Sequence, residues 1–262
     1  VTGKWMFPRE LVDRWILDSS HGGLLTDRLV IAGSDDPLLY RIVMQFARDT
    51  GSHALVCYTP TGTRTGLDLL QANRVDACGI HWGPDSESHL RHPALLQQYA
   101  NHRQWVLVRL FRREQGVMLS SRAFEQVGDT ADLFDQRFRW VLRQNGAGAQ
   151  RFLMEMLSSH NLNADQLNSN LTALSEREAA AAIAMNTADA APGARAAASE
   201  FGLKFLPSGW ECFDLALPRS IWFRRLFQGL LTRLQSRATQ AIADSLTGYN
   251  MDDSGVLVWG DD

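Results

Sequence analysis

The strongest constraint on the fold of this chain is the alternation of short apolar runs with helical repeats over its first 110 residues. Residues 28–34 form an apolar, partly β-branched run, and apolar residues then recur at helical spacing over 38–46. Two more strand-like runs, 53–58 and 75–82, enclose a short helix over 67–73. Strands that alternate with helices form a parallel sheet with crossover connections. The sequence therefore predicts an α/β fold.

A long strand over 105–119 separates this part of the chain from a second one. Its charged middle is too polar for the inside of one sheet, so we predict that the strand crosses between two lobes. A strand over 137–144 restarts the alternation, and the segment 211–217 is predicted to return to the first lobe. The predicted boundaries are 27–112 plus 213–262 for lobe I and 113–212 for lobe II. The other predicted elements are helices over 93–102, 130–135, 150–160, 175–187, 194–201 and 221–233, and strands over 203–206 and 212–217.

Residues 1–20 do not follow this pattern. A strand over 3–7 and a helix over 8–17 are predicted there, with Pro8 in the first turn of the helix. So short a unit cannot bury its own apolar side chains, such as Trp5 and Trp15. We therefore interpret it as the end of a module whose beginning is missing.

The charge balance and the cysteines exclude several classes of protein. The formal net charge of −3 argues against nucleic-acid binding by the chain as a whole. The sequence contains no apolar run long enough to predict a membrane-spanning helix and no secretory signal. Cys57, Cys78 and Cys212 are widely spaced and form no CxxC motif, which indicates free thiols in a reducing compartment and favours the cytoplasm.

Three turns form the candidate ligand site. They cover 33–36, 61–66 and 145–149, and each joins the end of a predicted strand to the start of a helix. Ligands of open parallel sheets bind at this edge, where helix N-termini offer free N–H groups to anions. Turn 61–66 is the most polar, with three hydroxyl groups and Arg64. We predict that turns from both lobes face each other across a cleft.

Most of these features also have a purely structural interpretation. Asp35 and Asp36 either cap the following helix or repel an anion. His81, His89 and His92 lack a recognised spacing of metal ligands, so no metal site is predicted. The sequence has no GxSxG elbow, no phosphate-binding P-loop and no HExxH motif. We therefore predict a protein that is not an enzyme and needs no cofactor.

Several segments resemble the periplasmic-binding-protein-like domains of cytoplasmic regulators and molybdenum-related proteins. They are Gly33-Ser-Asp-Asp-Pro-Leu-Leu39, Val75-Asp-Ala-Cys-Gly-Ile-His81, Arg112-Arg-Glu-Gln-Gly116, Arg143-Gln-Asn-Gly-Ala-Gly148 and Gly248-Tyr-Asn250. Residues 3–15 are similar to the wing and last helix of excisionase/MerR-like winged helix-turn-helix domains. The resemblance implies a two-lobed, type II fold that closes on a small ligand, often molybdate or tungstate in related transport receptors.

The resemblance and the predicted cleft together define the candidate ligand-binding residues. These are Ser34, Thr61, Gly62, Thr63, Arg64, His81, Arg113, Arg143, Gly146, Ala147, Gly148 and Ser175. Ala147 and Ala149 stand where the family commonly has hydroxyl side chains, so two donors are missing. A different anion or a larger organic molecule is therefore also compatible with the site.

The leading hypothesis is the ligand-sensing domain of a cytoplasmic transcription regulator that binds an oxyanion between its lobes. We expect a homodimer that contacts DNA only through a helix-turn-helix largely absent from this chain. Two alternatives stay open: a substrate-binding receptor of an oxyanion transporter, and an enzyme in which Arg64, His81 and Arg143 act on a substrate.

Overall fold

The computed structural model describes Arg9 and residues 28–260 of the 262-residue chain. Apart from Arg9, the strand and helix expected in residues 1–20 lie outside the described residues, so the helix-turn-helix interpretation stays a prediction. Within 28–218, strands and helices alternate as the sequence pattern predicts, and three successive helices and two short strands follow over 219–259.

Ten strands are described, and helices join them. The strands are β1 (Arg28–Gly33), β2 (Leu55–Pro60), β3 (Ala77–Ile80), β4 (Trp105–Leu119), β5 (Trp140–Arg143), β6 (Ser169–Ala173), β7 (Ala190–Ala194), β8 (Lys204–Pro218), β9 (Tyr249–Asn250) and β10 (Leu257–Trp259). The α-helices are α1 (Pro37–Thr50), α2 (Thr63–Gln71), α3 (Ser88–Leu96), α4 (Ser121–Phe124), α5 (Gly148–Ser159), α6 (Glu176–Ala184), α7 (Arg195–Glu200), α8 (Arg219–Trp222), α9 (Arg225–Leu234) and α10 (Arg237–Leu246). Lobe I contains β1–β3, α1–α3 and α8–α10, and lobe II contains β5–β7 and α4–α7.

One continuous sheet runs through both lobes in the strand order β2-β1-β3-β8-β4-β7-β5-β6. In lobe I, β1 lies parallel to β2 and β3, and β8 lies antiparallel beside β3. In lobe II, β5 lies parallel to β6 and β7, and β4 lies antiparallel beside β7. In each lobe, three parallel strands are therefore followed by one antiparallel strand. That antiparallel strand is β8 in lobe I and β4 in lobe II.

The strands β4 and β8 connect the lobes and pair with each other. Their ladder extends from Trp105 opposite Pro218 to Leu119 opposite Lys204. It is interrupted beyond the pair of Gln115 and Gly209, where the next paired residue of β8 is Pro207 and Ser208 is the extra residue of a bulge. We call this pair of strands the crossing ribbon.

Helices cover both faces of the sheet in each lobe. Neighbouring residues of β4 point to opposite faces, so Val106 packs in the apolar cluster of α1 and α9, whereas Leu107 packs with α2 and α3. In lobe II, Val117 packs with α5, and Met118 packs with α6 and α7. The carboxyl ends of the parallel strands of lobe I face those of lobe II across the crossing ribbon.

The polar segment 61–66 is not the turn that the sequence pattern predicted. α2 begins at Thr63 instead of residue 67, because Gly62, with a φ of 79°, turns the chain directly into the helix. Gly66 then lies inside the helix, where a Cβ would be 2.6 Å from the Cα of Gly33. The hydroxyl groups of Thr63 and Thr65 therefore belong to the first turn of α2.

Other predicted boundaries were also wrong. The helix predicted over 93–102 is α3, which begins at Ser88 directly after a 3-10 turn. The two short strands predicted over 203–206 and 212–217 are both part of β8, because the chain around Ser208 forms a bulge and not a turn. One predicted helix over 221–233 is two helices, since Arg224 has an extended backbone. The strands β6, β7, β9 and β10 and the helices α4 and α10 were not predicted, and the helix near 130–135 is a 3-10 turn.

Candidate functional site

The three predicted segments meet in the cleft between the lobes. The hydroxyls of Ser34, after β1, and Thr63, at the start of α2, are 2.7 Å apart and share a hydrogen bond. Across the cleft, the N–H of Arg64 donates to the carbonyl of Gly146 at 3.2 Å. The lobes are thus in direct contact through the segments that the sequence pattern indicated.

Two helix N-termini from opposite lobes face each other at this contact. In the described part of the chain, no side chain caps α2 or α5, since Gly62 and Ala147 occupy their cap positions. A Cβ at Gly62 would lie 3.7 Å from Ala147. By contrast, Asp36 caps α1 through a 2.9 Å bond from the N–H of Leu39, which confirms the capping interpretation. The first N–H groups of an uncapped helix lack partners in the helix and carry the positive end of its dipole.

Arg113 occupies the floor of the cleft on the crossing ribbon. Its guanidinium is fully buried and donates to Glu211 at 2.7 Å, to Glu176 at 2.8 Å and to Asp36 at 3.0 Å. Burial opposes the positive charge, but the three carboxylates outweigh it and raise the pKa of Arg113 well above its ordinary value. Arg113 is therefore an internal counter-charge whose nitrogen atoms all have partners.

His81 lies beside this cluster at the end of β3. Its Nδ1 is 2.9 Å from Glu211, and its Nε2 is 3.8 Å from Glu176. A Cβ added at Gly148 would overlap the backbone and ring of His81, so α5 can begin here only with glycine. His81 thus joins β3 of lobe I to the start of α5 in lobe II, with both ring nitrogens directed at carboxylates.

Asp35 is the most unusual group in the cleft. Its Oδ2 accepts a hydrogen bond of 3.1 Å from the N–H of Arg177 in the first turn of α6, so a lobe I carboxylate is held by a lobe II helix N-terminus. Its Oδ1 is buried and has no hydrogen-bond partner among residues 28–260. Burial, with a smaller contribution from the carboxylate of Glu176, raises the pKa of Asp35 to about 6.

Arg143 lies at the end of β5 and is buried against lobe II. Its Nε donates to the carbonyl of Ala173 at 3.1 Å, and its Nη2 donates to the carbonyl of Leu174 at 3.2 Å. Burial lowers the pKa of Arg143, although the charges of Glu176 and Asp35 partly oppose this effect. The guanidinium charge therefore interacts with the charges of Glu176 and Asp35, while its hydrogen bonds go to backbone carbonyls.

The hydroxyls of Thr61 and Ser175 serve the backbone. The Thr61 Oγ1 accepts from the N–H of Gly33 at 3.1 Å, and the Ser175 Oγ accepts from the N–H of Glu178 at 2.9 Å as the cap of α6. Each hydroxyl therefore holds a turn at the cleft edge in place.

The closed cleft is rich in acid groups. It contains the buried carboxylates of Asp35, Asp36, Glu176 and Glu211 against the guanidinium groups of Arg113 and Arg143, with His81 beside them. Excess charge in a buried site is unfavourable unless it is paired or neutralised by a proton. An anionic ligand must therefore replace one of these carboxylates or bind together with a proton.

Sequence reasoning missed two of the four buried carboxylates of the cleft, Glu176 and Glu211. In the sequence, Glu176 is an acidic residue in the first turn of a helix, which is common, and Glu211 is one residue of a strand. Neither position indicates a binding site by itself. The register of the crossing ribbon, which sets Arg113 opposite Glu211, brings these charges together. A local signal was present only in the charged residues in the middle of β4.

Ion pairs also join the lobes beside the cleft. Arg91 of α3 contacts Glu155 of α5 at 2.7 Å, and Arg41 of α1 contacts Glu200 of α7 at 2.9 Å. The indole ring of Trp82, in lobe I, is 4.8 Å from the guanidinium carbon of Arg151, in lobe II. These contacts join the two lobes at the surface beside the cleft.

The histidines of the predicted loop do not converge on a metal site. The Nε2 of His92 accepts from the N–H of Trp82 at 3.1 Å, and its Nδ1 is 2.7 Å from Asp214. Across residues 28–260, no group of three or more His, Cys, Asp or Glu side chains is arranged to hold a metal ion. No helix in that part of the chain is both long enough and apolar enough to cross a bilayer.

A family model described as a PBP superfamily domain matches residues 44–235. No curated protein has a sequence that matches this chain. One solved structure of similar fold is described as a phosphate ABC transporter substrate-binding protein with bound phosphate from Clostridium perfringens. It has a TM-score of 0.58 and 10% identity, and the similarity covers 84% of this chain and 98% of that one.

Two further solved structures have a similar fold. The tungstate ABC transporter from Geobacter sulfurreducens has a TM-score of 0.56 and 12% identity, over 83% of this chain and 97% of that one. The effector binding domain of QuiR in complex with shikimate has a TM-score of 0.54 and 9% identity, over 82% of this chain and 97% of that one. At such low identities these similarities show the fold alone.

Proposed function

The chain belongs to the PBP superfamily, and on that premise we propose that it is a sensing domain which binds a small anionic ligand between its two lobes. The two-lobed α/β fold that the sequence resemblance implied is confirmed. The roles of individual cleft residues and the lobe boundaries at 112/113 and 212/213 are part of the proposal.

The observation that carries the proposal is the meeting of the uncapped N-termini of α2 and α5. An anion between them accepts hydrogen bonds from N–H groups of both helices, with the Arg64 N–H released from the carbonyl of Gly146, and so holds the lobes together. The hydroxyls of Ser34 and Thr63 lie at the same contact, which supports an oxyanion such as molybdate or tungstate. The similarity of fold to a phosphate-binding protein and a tungstate transporter supports the same class of ligand.

The carboxylate of Asp35 is itself an anion held between the lobes, and its negative charge opposes the binding of an external anion. The carboxylate already bridges lobe I and the N-terminus of α6. A ligand that enters with a full negative charge competes with this internal carboxylate, whereas protonation of Asp35 removes the competition. We therefore expect anion affinity to rise when Asp35 is neutral.

We further propose that the domain serves a cytoplasmic transcription regulator that acts as a homodimer. The likeness of residues 3–15 to the end of a winged helix-turn-helix supports this role, and so does the similar fold of an effector binding domain. The ligand acts on such a dimer only through different affinities for its two states.

A transport receptor is the second candidate, because two of the similar folds belong to transporters. The gene sequence upstream of codon 1 separates the two roles. A complete helix-turn-helix encoded there supports the regulator, and a secretory leader supports the receptor and refutes the regulator.

A thermal-shift panel tests the ligand class. Molybdate, tungstate, sulfate, phosphate and small carboxylates are compared, and an anion at about 100 times its Kd should stabilise the protein by ~2.7 kcal/mol. If none of them raises the Tm, the oxyanion proposal is wrong, and an organic ligand replaces it.

Arg143→Ala tests the site itself. Loss of the buried guanidinium should weaken any anion that raises the Tm. Arg137→Ala, which removes an exposed arginine just before the other end of β5, is the matched control and should bind as the wild type does. Equal affinity in both variants removes Arg143 from the proposed site.

A further inference from the structure

A cavity lies on the crossing ribbon, next to the acidic cluster. Its volume is about 350 Å³, within the range of small-molecule sites. Gly83 and Pro84 of lobe I form one wall, the last turns of α5 in lobe II form another, and residues 208–210 of β8 form the floor together with Gln115 of β4. Elements of both lobes and both crossing strands thus surround one space, which we call the ribbon cavity.

The ribbon cavity lies between the lobes beyond the acidic cluster and shares no lining residue with it. Arg113 and Glu211 form one cross-strand pair of the ribbon, and Gln115 and Gly209 form the pair two residues further along the same face. The contact of His81 with Gly148 lies at the cleft and is not part of the cavity lining. A molecule in the ribbon cavity therefore contacts none of the buried carboxylates of the cleft.

One side chain of the cavity lining has an unused hydrogen-bonding group. Gln115 is only 6% exposed, and its Nε2 is buried with no hydrogen-bond partner in the part of the chain that the structure describes. Burying an amide donor without a partner costs about 1–3 kcal/mol, so native proteins seldom leave one unless a ligand or a water binds there. The terminal amide of Gln115 must rotate about its last side-chain bond for this buried N–H to reach an acceptor in the cavity.

The surface that lines the cavity is largely apolar, and the space beside Gly209 is unfilled. Phe152 and Met156 of α5 line the cavity, and Trp210 lines it while 39% exposed, which is unusual for so large an apolar side chain. A Cβ added at Gly209 would meet no atom of the described residues within 4 Å. The bulge at Ser208 bends the ribbon at this point, and bulges are common beside binding sites.

We propose that the ribbon cavity is a second binding site, which takes a small planar aromatic molecule carrying a hydrogen-bond acceptor, such as an aromatic carboxamide. The ring packs against Trp210, Phe152 and Met156, and the acceptor receives the N–H of Gln115. Because residues of both lobes line the cavity, the bound molecule contacts both lobes and stabilises the closed arrangement.

Benzamide and toluene are the probes, and saturation-transfer NMR on the full chain measures their binding. We expect benzamide to receive saturation and to bind more tightly than toluene, which has no acceptor. Gln115→Met keeps the size of the side chain but removes the donor. It should weaken benzamide by roughly 3- to 10-fold, the equivalent of one hydrogen bond, and leave toluene unchanged.

Gly209→Leu fills the cavity from the β8 side. The leucine lies on the same face as Gln115, because the two positions oppose each other in the ladder, and it meets no backbone obstacle. It should abolish the benzamide signal, whereas Gln104→Leu, at an exposed position before β4, should retain it. No signal from benzamide with the wild type, or an undiminished signal with Gly209→Leu, overturns the proposal. Equal weakening of both probes by Gln115→Met overturns the role of the donor.

Discussion

Asp35→Asn tests the electrostatics of the cleft most directly. Burial, together with the carboxylate of Glu176, raises the pKa of Asp35 from 3.8 to about 6 in the folded protein. The native state therefore binds this proton more tightly than the unfolded chain does, and ionisation of Asp35 lowers stability as the pH rises from about 4 to about 6. The difference between these two pKa values corresponds to about 3 kcal/mol.

Asparagine keeps a side-chain oxygen that can accept the N–H of Arg177, but it cannot ionise. The free energy of unfolding of the variant minus that of the wild type should therefore rise by about 2 kcal/mol between about pH 4 and pH 7. Any cost of the buried amide nitrogen is independent of pH and cancels in this comparison. Urea denaturation at several pH values measures the difference, and Asp165→Asn, which removes an exposed carboxylate, is the matched control.

A difference that stays constant across this pH range would contradict the inference that burial dominates at Asp35. A difference that falls with pH would mean that Arg143 and the N-terminus of α6 stabilise the carboxylate more than burial opposes it. Either result would also remove the expectation that protonation of Asp35 favours binding of an external anion.

Three further substitutions test the packing and charge of the fold. Arg113→Met should lower the unfolding free energy by about 3–5 kcal/mol, because buried carboxylates lose their shared counter-charge; a urea midpoint close to that of the wild type would refute this role. Gly66→Ala should cost at least about 1–3 kcal/mol in the same assay, since its Cβ would lie 2.6 Å from the Cα of Gly33, and unchanged stability would contradict so close an approach of α2 to β1. Arg41→Ala should cost less than about 1 kcal/mol, because its ion pair with Glu200 is partly solvated, and a larger loss would show that this pair is not screened by water.

The sequence predicted those elements whose local pattern agrees with their final environment. β1 and α1 are an example, since a β-branched run, a capping aspartate and a proline at the first helical position all indicate the same boundary. β7 is the opposite case. Its sequence, Ala190-Ala-Pro-Gly-Ala194, has low strand propensity, and it is a strand because β4 and β5 pair with it on either side.

In the candidate site, too, some contacts could be predicted from the local sequence and others could not. Ser34, Thr63 and Gly146 follow strands at the edge where parallel sheets bind ligands, so their meeting could be anticipated from the α/β pattern. The contacts of Glu176 with Arg113 and of Asp35 with α6 join residues more than 60 positions apart. They depend on the closed angle between the lobes, for which no local motif exists.

The strands β4 and β8 each run through both lobes, and this also affects how the chain folds. Residues that pair across these strands, such as Leu119 with Lys204, are separated by most of lobe II in sequence. Lobe I cannot complete its sheet during synthesis until lobe II has emerged, because β8 is the neighbour of β3. Pairing over such long sequence separations slows folding. We therefore expect the two lobes to fold and unfold as one cooperative unit, and a truncation before β8 to abolish the structure of both.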